Sequence, residues 1–391
     1  MNGAHISTVN ICRFSQNGKY LATRSDDNTV IIWVQKSRPS SFGSTEEKIC
    51  WSNHKILRGH SGDVYDLSWN PASKYLISGS VDNYCMIWNI EKAKCVNRFM
   101  DHEHFVQGVS WDPRNKYTLT QSSDKSVRFY KNAKSKLEMK FIYINQLKRF
   151  ERKNKNNNLN NIQSQYNNND QKNILNYHYF FSDEDQCNTF VRRSCFSQDG
   201  KICLLVSGVM QNPLDKNEIN FVVWGVSRKN FSRPKFYIPT LNKSSTCVRF
   251  FPLIFHKMKK TDNSTPALLD LNYVMIFAIG TNDSVFIYGT DSIRPRYVLT
   301  NIHYQTITDL AWNGDKMLAI SFSDGYISFV SFEENELGVS FKPEEITWDD
   351  EKFKKQYQLY FDVDIKKNII SNTQNMITYI KIKKNINGNE K

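Results

Sequence analysis

A five-point register that recurs three times constrains this chain more than any other feature. Counting from His60, Trp69 lies 9 residues on, Ser78 18 on, Asp82 22 on and Trp88 28 on. The same offsets from His102 reach Trp111, Thr120, Asp124 and Tyr130, and from His5 they reach Phe14, Thr23, Asp27 and Trp33. The second and third units start 42 residues apart. Repeats of this period belong to architectures in which each unit buries its apolar faces only against its neighbours. Within a unit, Val64-Tyr65-Asp66-Leu67-Ser68-Trp69 is a β-rich run and Asn70-Pro71-Ala72-Ser73 a turn. Lys74 to Ser78 is a second strand, Asp82-Asn83 a second turn and Tyr84 to Trp88 a third strand. Four short strands in roughly 40–45 residues predict one blade of an all-β propeller.

On these residues the chain resembles the WD-repeat proteins, with Gly59-His60 and Trp88-Asn89 at that family's GH and WD positions and Asn89 standing for the Asp. The resemblance implies that His, Ser/Thr, Asp and Trp form one hydrogen-bonded chain per blade. The expected sets are His5, Thr23, Asp27 and Trp33; His60, Ser78, Asp82 and Trp88; and His102, Thr120, Asp124 and Tyr130. A desolvated carboxylate needs such partners. These residues are therefore read as structural, not catalytic, and removing one member is expected to cost about 1–3 kcal/mol.

Later units are degenerate. The repeats fall near 5–34, 60–89, 102–131, 178–226, 243–289 and 303–332, giving a propeller over 1–340 and a tail over 341–391 with strand-like alternation. In the sixth, Trp312 and Ser321 keep their offsets from His303, but Asp324 comes one residue early and Val330 stands where the indole belongs. Residues 36–52 and 256–270 are read as insertions, and 132–176, rich in Asn, Lys and Gln, as a mobile loop. The WD-repeat family named below has seven units. Six are visible here, so an amino-terminal blade is expected to be missing; strands supplied by the tail, or a six-bladed variant, are the alternatives.

The net charge of +13 favours polyanions non-specifically, but the basic residues are dispersed in short groups, as solvated loops require. None of the eight cysteines forms a C-x-x-C or a zinc-spaced cluster, which predicts buried reduced thiols and no metal. No signal peptide is apparent, and the apolar run Tyr273–Ile279 is too short to span a bilayer. No G-x-S-x-G, P-loop, H-E-x-x-H or dinucleotide fingerprint occurs, so no enzymatic activity, cofactor or small-molecule substrate is expected.

Several segments outside the repeat pattern narrow the resemblance. Leu57-Arg58-Gly59-His60, Asp63-Val64-Tyr65-Asp66 and Ser80-Val81-Asp82-Asn83 resemble both the middle WD-repeat subunit of chromatin assembly factor 1 and the related histone regulator A family. Val106-Gln107-Gly108-Val109-Ser110-Trp111-Asp112-Pro113, Phe190-Val191-Arg192-Arg193, Ser227-Arg228-Lys229-Asn230 with Arg233-Pro234, and Asn301-Ile302-His303-Tyr304 lean to the former. This resemblance implies a non-enzymatic nuclear subunit of a histone chaperone that deposits core histones on newly replicated DNA. Its implied partners are the large and small subunits, core histones three and four, the anti-silencing histone chaperone, and the replication clamp indirectly. The basic tail motif that contacts the anti-silencing chaperone is not found after Val339. The matching segments suggest Phe190, Arg192, Arg193, Arg228, Lys229, Asn230, Arg233 and Tyr304 as partner-binding, with intradomain bracing by the arginines as the alternative. Trp111-Asp112-Pro113-Arg114 also fits the W-D-x-R string of cullin-ligase substrate receptors, but at the wrong end of its unit.

Overall fold

The computed structural model describes residues 4–39, 47–134, 139–148, 150–153, 176–181, 190–211, 219–241, 243–257, 266–313, 316–333, 336–345, 354, 357 and 379–381. Among them the strands form six sheets arranged as propeller blades, with one short 3-10 turn at Pro343–Glu345. Blade 1 is β1 (Val9–Phe14), β2 (Tyr20–Ser25), β3 (Val30–Pro39) and β4 (Glu47–Leu57). Blade 2 is β5 (Val64–Trp69), β6 (Tyr75–Ser80), β7 (Cys85–Asn89) and β8 (Lys94–Phe99). Blade 3 is β9 (Val106–Trp111), β10 (Tyr117–Ser122), β11 (Val127–Lys134) and β12 (Met139–Leu147).

Blade 4 has six strands: β13 (Phe150–Lys153), β14 (Asn176–Phe181), β15 (Cys195–Phe196), β16 (Ile202–Gln211), β17 (Ile219–Ser227) and β18 (Phe236–Pro239). Blade 5 is β19 (Ser245–Phe255), β20 (Val274–Thr281), β21 (Ser284–Gly289) and β22 (Tyr297–Thr300). Blade 6 is β23 (Ile307–Asn313), β24 (Met317–Phe322), β25 (Ile327–Ser331) and β26 (Tyr379–Lys381). Neighbouring strands are antiparallel except β25 and β26, which pair in parallel.

Sequence expectations change at the insertions. The segment 132–176 is not a loop at its ends. It carries β11 to Lys134 and then supplies the outer strand β12 and the β13–β14 pair that widens blade 4. Its Asn-rich centre, 154–175, lies outside the described residues. The 36–52 insertion is the prolonged β3–β4 hairpin, paired from Val30↔Leu57 out to Pro39↔Glu47. The tail contributes β26 to blade 6, and among the described residues it forms no further blade.

Alternation explains how the blades pack. Each blade is covered on both faces, so its middle strands are apolar on both sides. In β6, Leu76 joins Trp69 and Trp88 in the seam between blades 1 and 2, whereas Ile77 joins Val106 and Val109 in the seam between blades 2 and 3. Leu119 and Phe129 of blade 3 meet Leu205 and Trp224 of blade 4. A larger cluster around Ile254, Phe277 and Leu310 runs through blades 4, 5 and 6. Among the described residues no such cluster spans blades 6 and 1. Val9 and Phe14 there stay 49% and 60% exposed, and a charge pair makes the join.

Blade 4 is held differently on its inner side. Residues 192–194 lie between β9 and β19 and hydrogen-bond to both: Arg192 N–H donates to Gln107 O (3.2 Å), Arg193 N–H to Thr246 O (2.8 Å), and Val248 N–H to Arg193 O (3.0 Å). Gly108 makes this approach possible, because a Cβ there would collide with the Arg192 carbonyl, which is backbone and cannot swing aside. Gly108→Ala is expected to destabilise the fold by about 1–3 kcal/mol through strain in a closely packed site. Urea unfolding followed by tryptophan fluorescence measures it, and an unchanged midpoint would show that the two segments can separate freely.

Candidate functional site

The turn aspartates come first, because local backbone geometry sets them. Asn28, Asn83 and Lys125 follow Asp27, Asp82 and Asp124 with φ of 59°, 68° and 62°, a left-handed turn that asparagine tolerates well. One oxygen of each carboxylate caps its own turn, accepting the N–H of Thr29 (3.0 Å), Tyr84 (3.0 Å) or Ser126 (2.9 Å). The other oxygen faces the loop that enters the blade. It accepts the imidazole Nδ1–H of His5 (3.0 Å), His60 (2.8 Å) or His102 (2.8 Å) and the next backbone N–H, from Ile6, Ser61 or Glu103.

Donor chemistry then orders the rest. A carboxylate only accepts and an indole only donates, so each neutral imidazole carries its proton on Nδ1 and accepts at Nε2. Thr23, Ser78 and Thr120 hydroxyls lie 2.8, 2.7 and 2.7 Å from those Nε2 atoms. Trp33 and Trp88 donate Nε1–H to the same hydroxyls of Thr23 and Ser78 at 2.6 and 2.8 Å. Tyr130 occupies the indole position in blade 3, but its hydroxyl donates to Asp101 at 2.9 Å, so the relay there reaches a second carboxylate. In blade 6 His303 and Asp324 lie 3.2 Å apart while Ser321 pairs with Thr308 at 2.9 Å, so imidazole and hydroxyl belong to separate contacts.

At the axis the structure gathers a charge cluster that the repeat pattern did not single out. Asp309 on β23 pairs with Arg13 of β1 (2.5 Å), Arg249 of β19 (2.8 Å) and Arg193 (3.0 Å), which joins blades 1, 4, 5 and 6 through one carboxylate. Asp66 on β5 lies 3.5 Å from Arg13 and 3.7 Å from Arg193, and accepts Val109 N–H at 3.0 Å. Arg193 also donates to Thr308 O (2.7 Å) and Tyr65 O (3.4 Å). Burial alone would raise the Asp309 carboxyl, but Arg13, Arg193 and Arg249 outweigh it and hold the group well below the usual carboxylate range. Burial and the neighbouring guanidiniums lower Arg13, whereas Asp309 and Asp66 overcome burial and raise Arg249. Both keep their protons at any accessible pH.

A sequence signal for this cluster did exist. Asp66 and Asp309 each lie six residues after their loop histidines, His60 and His303, and Arg13 and Arg249 each directly precede the first-strand aromatics Phe14 and Phe250. Charges inside otherwise apolar first strands require partners at the axis, where those strands converge.

The structure divides the eight residues suggested for partner binding. Arg192 and Arg193 are 0% and 2% exposed and present no surface, which corrects their reading as contact residues: they are wedged between the inner strands of blades 3 and 5. Phe190 is half-buried against Tyr65, with ring centroids 4.1 Å apart. Arg228 makes a two-pronged bond to Asp112 (2.7 and 2.7 Å) and lies over the Tyr117 ring, which is a bracing role. That contact also engages the buried Asp112 of the W-D-x-R string, while Arg114 donates to Asp199 O at 2.7 Å. Lys229, Asn230 and Arg233 are exposed in the β17–β18 turn. Tyr304 is fully exposed in the loop entering blade 6, on the face that carries the His–Asp pairs and opposite the one that carries that turn.

Seven cysteines are described, all free. Cys85, Cys203 and Cys247 are buried, and burial raises each thiol, Cys247 to about 11. Cys12 and Cys95 are exposed and Cys50 and Cys195 partly so, which departs from the expectation of burial; Cys187 lies outside the described residues. Among the described residues no group of His, Cys, Asp and Glu is placed to hold a metal, and no helix is long and apolar enough to cross a membrane.

Six blades, with imidazole–carboxylate relays inside blades 1–3 and an ion cluster at the axis, define a β-propeller of the WD-repeat type. The family model described as the CAF1B/HIR1 beta-propeller domain matches residues 3–337, and the chain belongs to that family. It is 32% identical over 353 residues to the CAF1B-type chromatin assembly factor 1 protein of Gallus gallus, covering 86% of this chain and 58% of that protein. It is 30% identical over 371 residues to the Saccharomyces cerevisiae protein of the same name, covering 87% of this chain and 74% of that one. Protein HIR1 of Chaetomium globosum is 27% identical over 341 residues, covering 85% of this chain and 29% of that protein.

The geometry sets two expectations for stability. Asp309→Asn leaves three clustered guanidiniums with only Asp66 nearby, and is expected to cost about 3–5 kcal/mol, the range for breaking a buried ion pair. Equilibrium urea unfolding measures this, and a loss below about 1 kcal/mol would mean that the cluster is solvated like a surface pair. The second concerns acid. Burial would raise Asp27, but hydrogen bonds from Thr29 and His5 pull it from 3.8 to about 2. Burial lowers His102 from 6.5 against the pull of Asp124. Groups depressed on folding stabilise fully above their unfolded pKa and lose that contribution as pH falls through the folded value. Stability should therefore decline below about 6.5 and again between about 4 and 2. A rise in the urea midpoint between pH 7 and pH 5 would contradict the lowered pKa of His102.

Proposed function

We propose that this chain is a non-enzymatic scaffold subunit of a nuclear histone chaperone complex that deposits core histones on newly replicated DNA. The observation that carries the reading is the likeness to the CAF1B-type proteins of chromatin assembly factor 1 from bird, mammal and yeast, at 30–32% identity over nearly the whole propeller. The chain spans 58% of the Gallus gallus protein, so the partners of the whole complex belong to this proposal. They are the large and small subunits, core histones three and four, and the replication clamp through the large subunit; the anti-silencing histone chaperone is not among them, because the basic tail motif for that contact is not found after Val339. The chemistry of the fold supports a scaffold. The conspicuous histidines and aspartates are engaged with one another, and Arg193 at the axis is enclosed. Histones are themselves basic, and so is this chain at +13, so the acidic surface that shields them is assigned to the large subunit.

The face that carries the His–Asp pairs offers the contact surface. Tyr304, Tyr326 and Ile327 are 102%, 67% and 53% exposed beside the His303–Asp324 pair. Exposed aromatics of this kind anchor protein interfaces. The replication-independent HIR1 branch is the second reading, favoured by the 26–27% identity to HIR1 proteins. Affinity purification of the tagged chain from nuclear extract, with mass spectrometry, tests both. Recovery of the large and small chromatin assembly subunits with histones is the expected result, and Tyr304→Glu should cut large-subunit recovery roughly tenfold, as loss of an interface anchor does. Recovery of a HIR-type complex would transfer the chain to that branch, and recovery of a cullin-ligase adaptor alone would overturn the proposal.

A further inference from the structure

The face opposite the His–Asp pairs, formed by the turns between first and second strands, encloses a cavity of about 620 Å³ at the axis. Every blade contributes to its wall. The volume is within the range that takes a small ligand or a short stretch of peptide. Four indoles line it. Three are fixed by hydrogen bonds that keep their rings in place, Trp69 to Arg13 O (2.9 Å), Trp312 to Arg249 O (3.0 Å) and Trp111 to Asn115 Oδ1 (2.8 Å), and Trp51 packs edge-on against Phe14 with ring centroids 5.6 Å apart. A wall braced in this way is organised before any ligand arrives, which lowers the cost of binding.

Charge decides what enters. Indole faces alone would accept a cation. The charged side chains among the lining residues are Arg13, Arg249 and Asp66, however, so the wall is net positive. The cluster behind it does not change the sign, because Arg193 and Asp309 add one charge of each kind. Asp66 is shielded as well. It is 2% exposed and already accepts Val109 N–H, whereas the Arg13 and Arg249 side chains keep 22% and 18% of their surface open. Of the three charged residues in the wall, the two arginines are therefore the more open and Asp66 the more enclosed.

Two amides favour a peptide over a simple anion. Gln16 Oε1 and Gln198 Nε2 line the same space, are buried, and lack a hydrogen-bond partner among the described residues. An unmet acceptor and an unmet donor match the N–H and C=O of a peptide backbone. We propose that this cavity binds an acidic peptide segment, with a ligand carboxylate toward Arg13 and Arg249, apolar parts against the indoles, and backbone groups toward Gln16 and Gln198. The site is independent of the chromatin reading, and lies on the face away from Tyr304.

The test uses the full chain and fluorescein-labelled Gly/Ser/Leu octapeptides carrying two glutamates, two glutamines or two lysines, followed by anisotropy. The glutamate peptide is expected to bind roughly tenfold more tightly than the glutamine peptide, with no saturable binding of the lysine peptide. Gln198→Glu places a carboxylate in the wall at a turn position and should weaken the glutamate peptide about tenfold with an unchanged melting temperature. Gln198→Lys, the opposite charge at the same site, should retain binding. Equal binding of all three peptides, indifference to both Gln198 variants, or displacement of the peptide by an oligothymidylate of equal charge would each overturn the proposal.

Discussion

One carboxylate, that of Asp309, holds guanidiniums from blades 1, 4 and 5 while belonging to blade 6. The geometry of a propeller makes such a centre necessary. Inner strands converge on the axis, their side chains lose water there, and any charge among them must find an opposite charge at short range. Here one of these pairs, Arg13–Asp309, spans blades 6 and 1, where the shared apolar clusters of the other seams are not found among the described residues. Apolar packing is non-directional and tolerates small changes of angle, whereas a carboxylate bridging three fixed guanidiniums does not. The cluster thus sets how the blades meet at the axis, and the seams fill the space between them.

The relays act at the other end of blades 1–3. They connect the loop entering a blade to the turn between its second and third strands, and through the hydroxyl to the third strand, as in His60, Asp82, Ser78 and Trp88. Every member is committed by valence: the carboxylate accepts the turn amide, the loop amide and the imidazole, and the hydroxyl accepts the indole. A histidine so engaged has no free nitrogen to act as a base. The same residues that would attract attention as a catalytic set are therefore unavailable for catalysis because of the bonds they already make.

How much could be read from the chain follows from the range of each signal. The relays were legible because their members sit at fixed offsets within one unit, and a periodic pattern exposes them. The axial cluster spans residues from Arg13 to Asp309 and depends on ring geometry, so no local window contains it. Arg193 shows the difference. It was singled out from the Phe190-Val191-Arg192-Arg193 segment as a contact residue, and the distinctiveness of that segment is real, but its cause is burial between β9 and β19. Low-complexity composition misled in the opposite direction. Asn, Lys and Gln between 132 and 176 argued for a loop, yet the flanks pair as β12, β13 and β14, because a neighbouring sheet edge supplies partners that composition cannot reveal.

Rigidity of this kind bears on how the molecule can act. With the axis held by charge and blades 1–3 braced by relays, much of both faces is organised before a ligand arrives, and recognition draws on what is already displayed. The two faces display different chemistry. One carries Tyr304, Tyr326 and Ile327, an apolar surface beside an imidazole; the other carries the exposed Lys229 and Arg233 and the cavity with Arg13 and Arg249 in its wall. A compact partner cannot reach both, since the ring stands between them. Two faces, one apolar and one basic, separated by a rigid body and not linked by any described hinge, suit simultaneous engagement of two dissimilar partners better than the sequential handling of one.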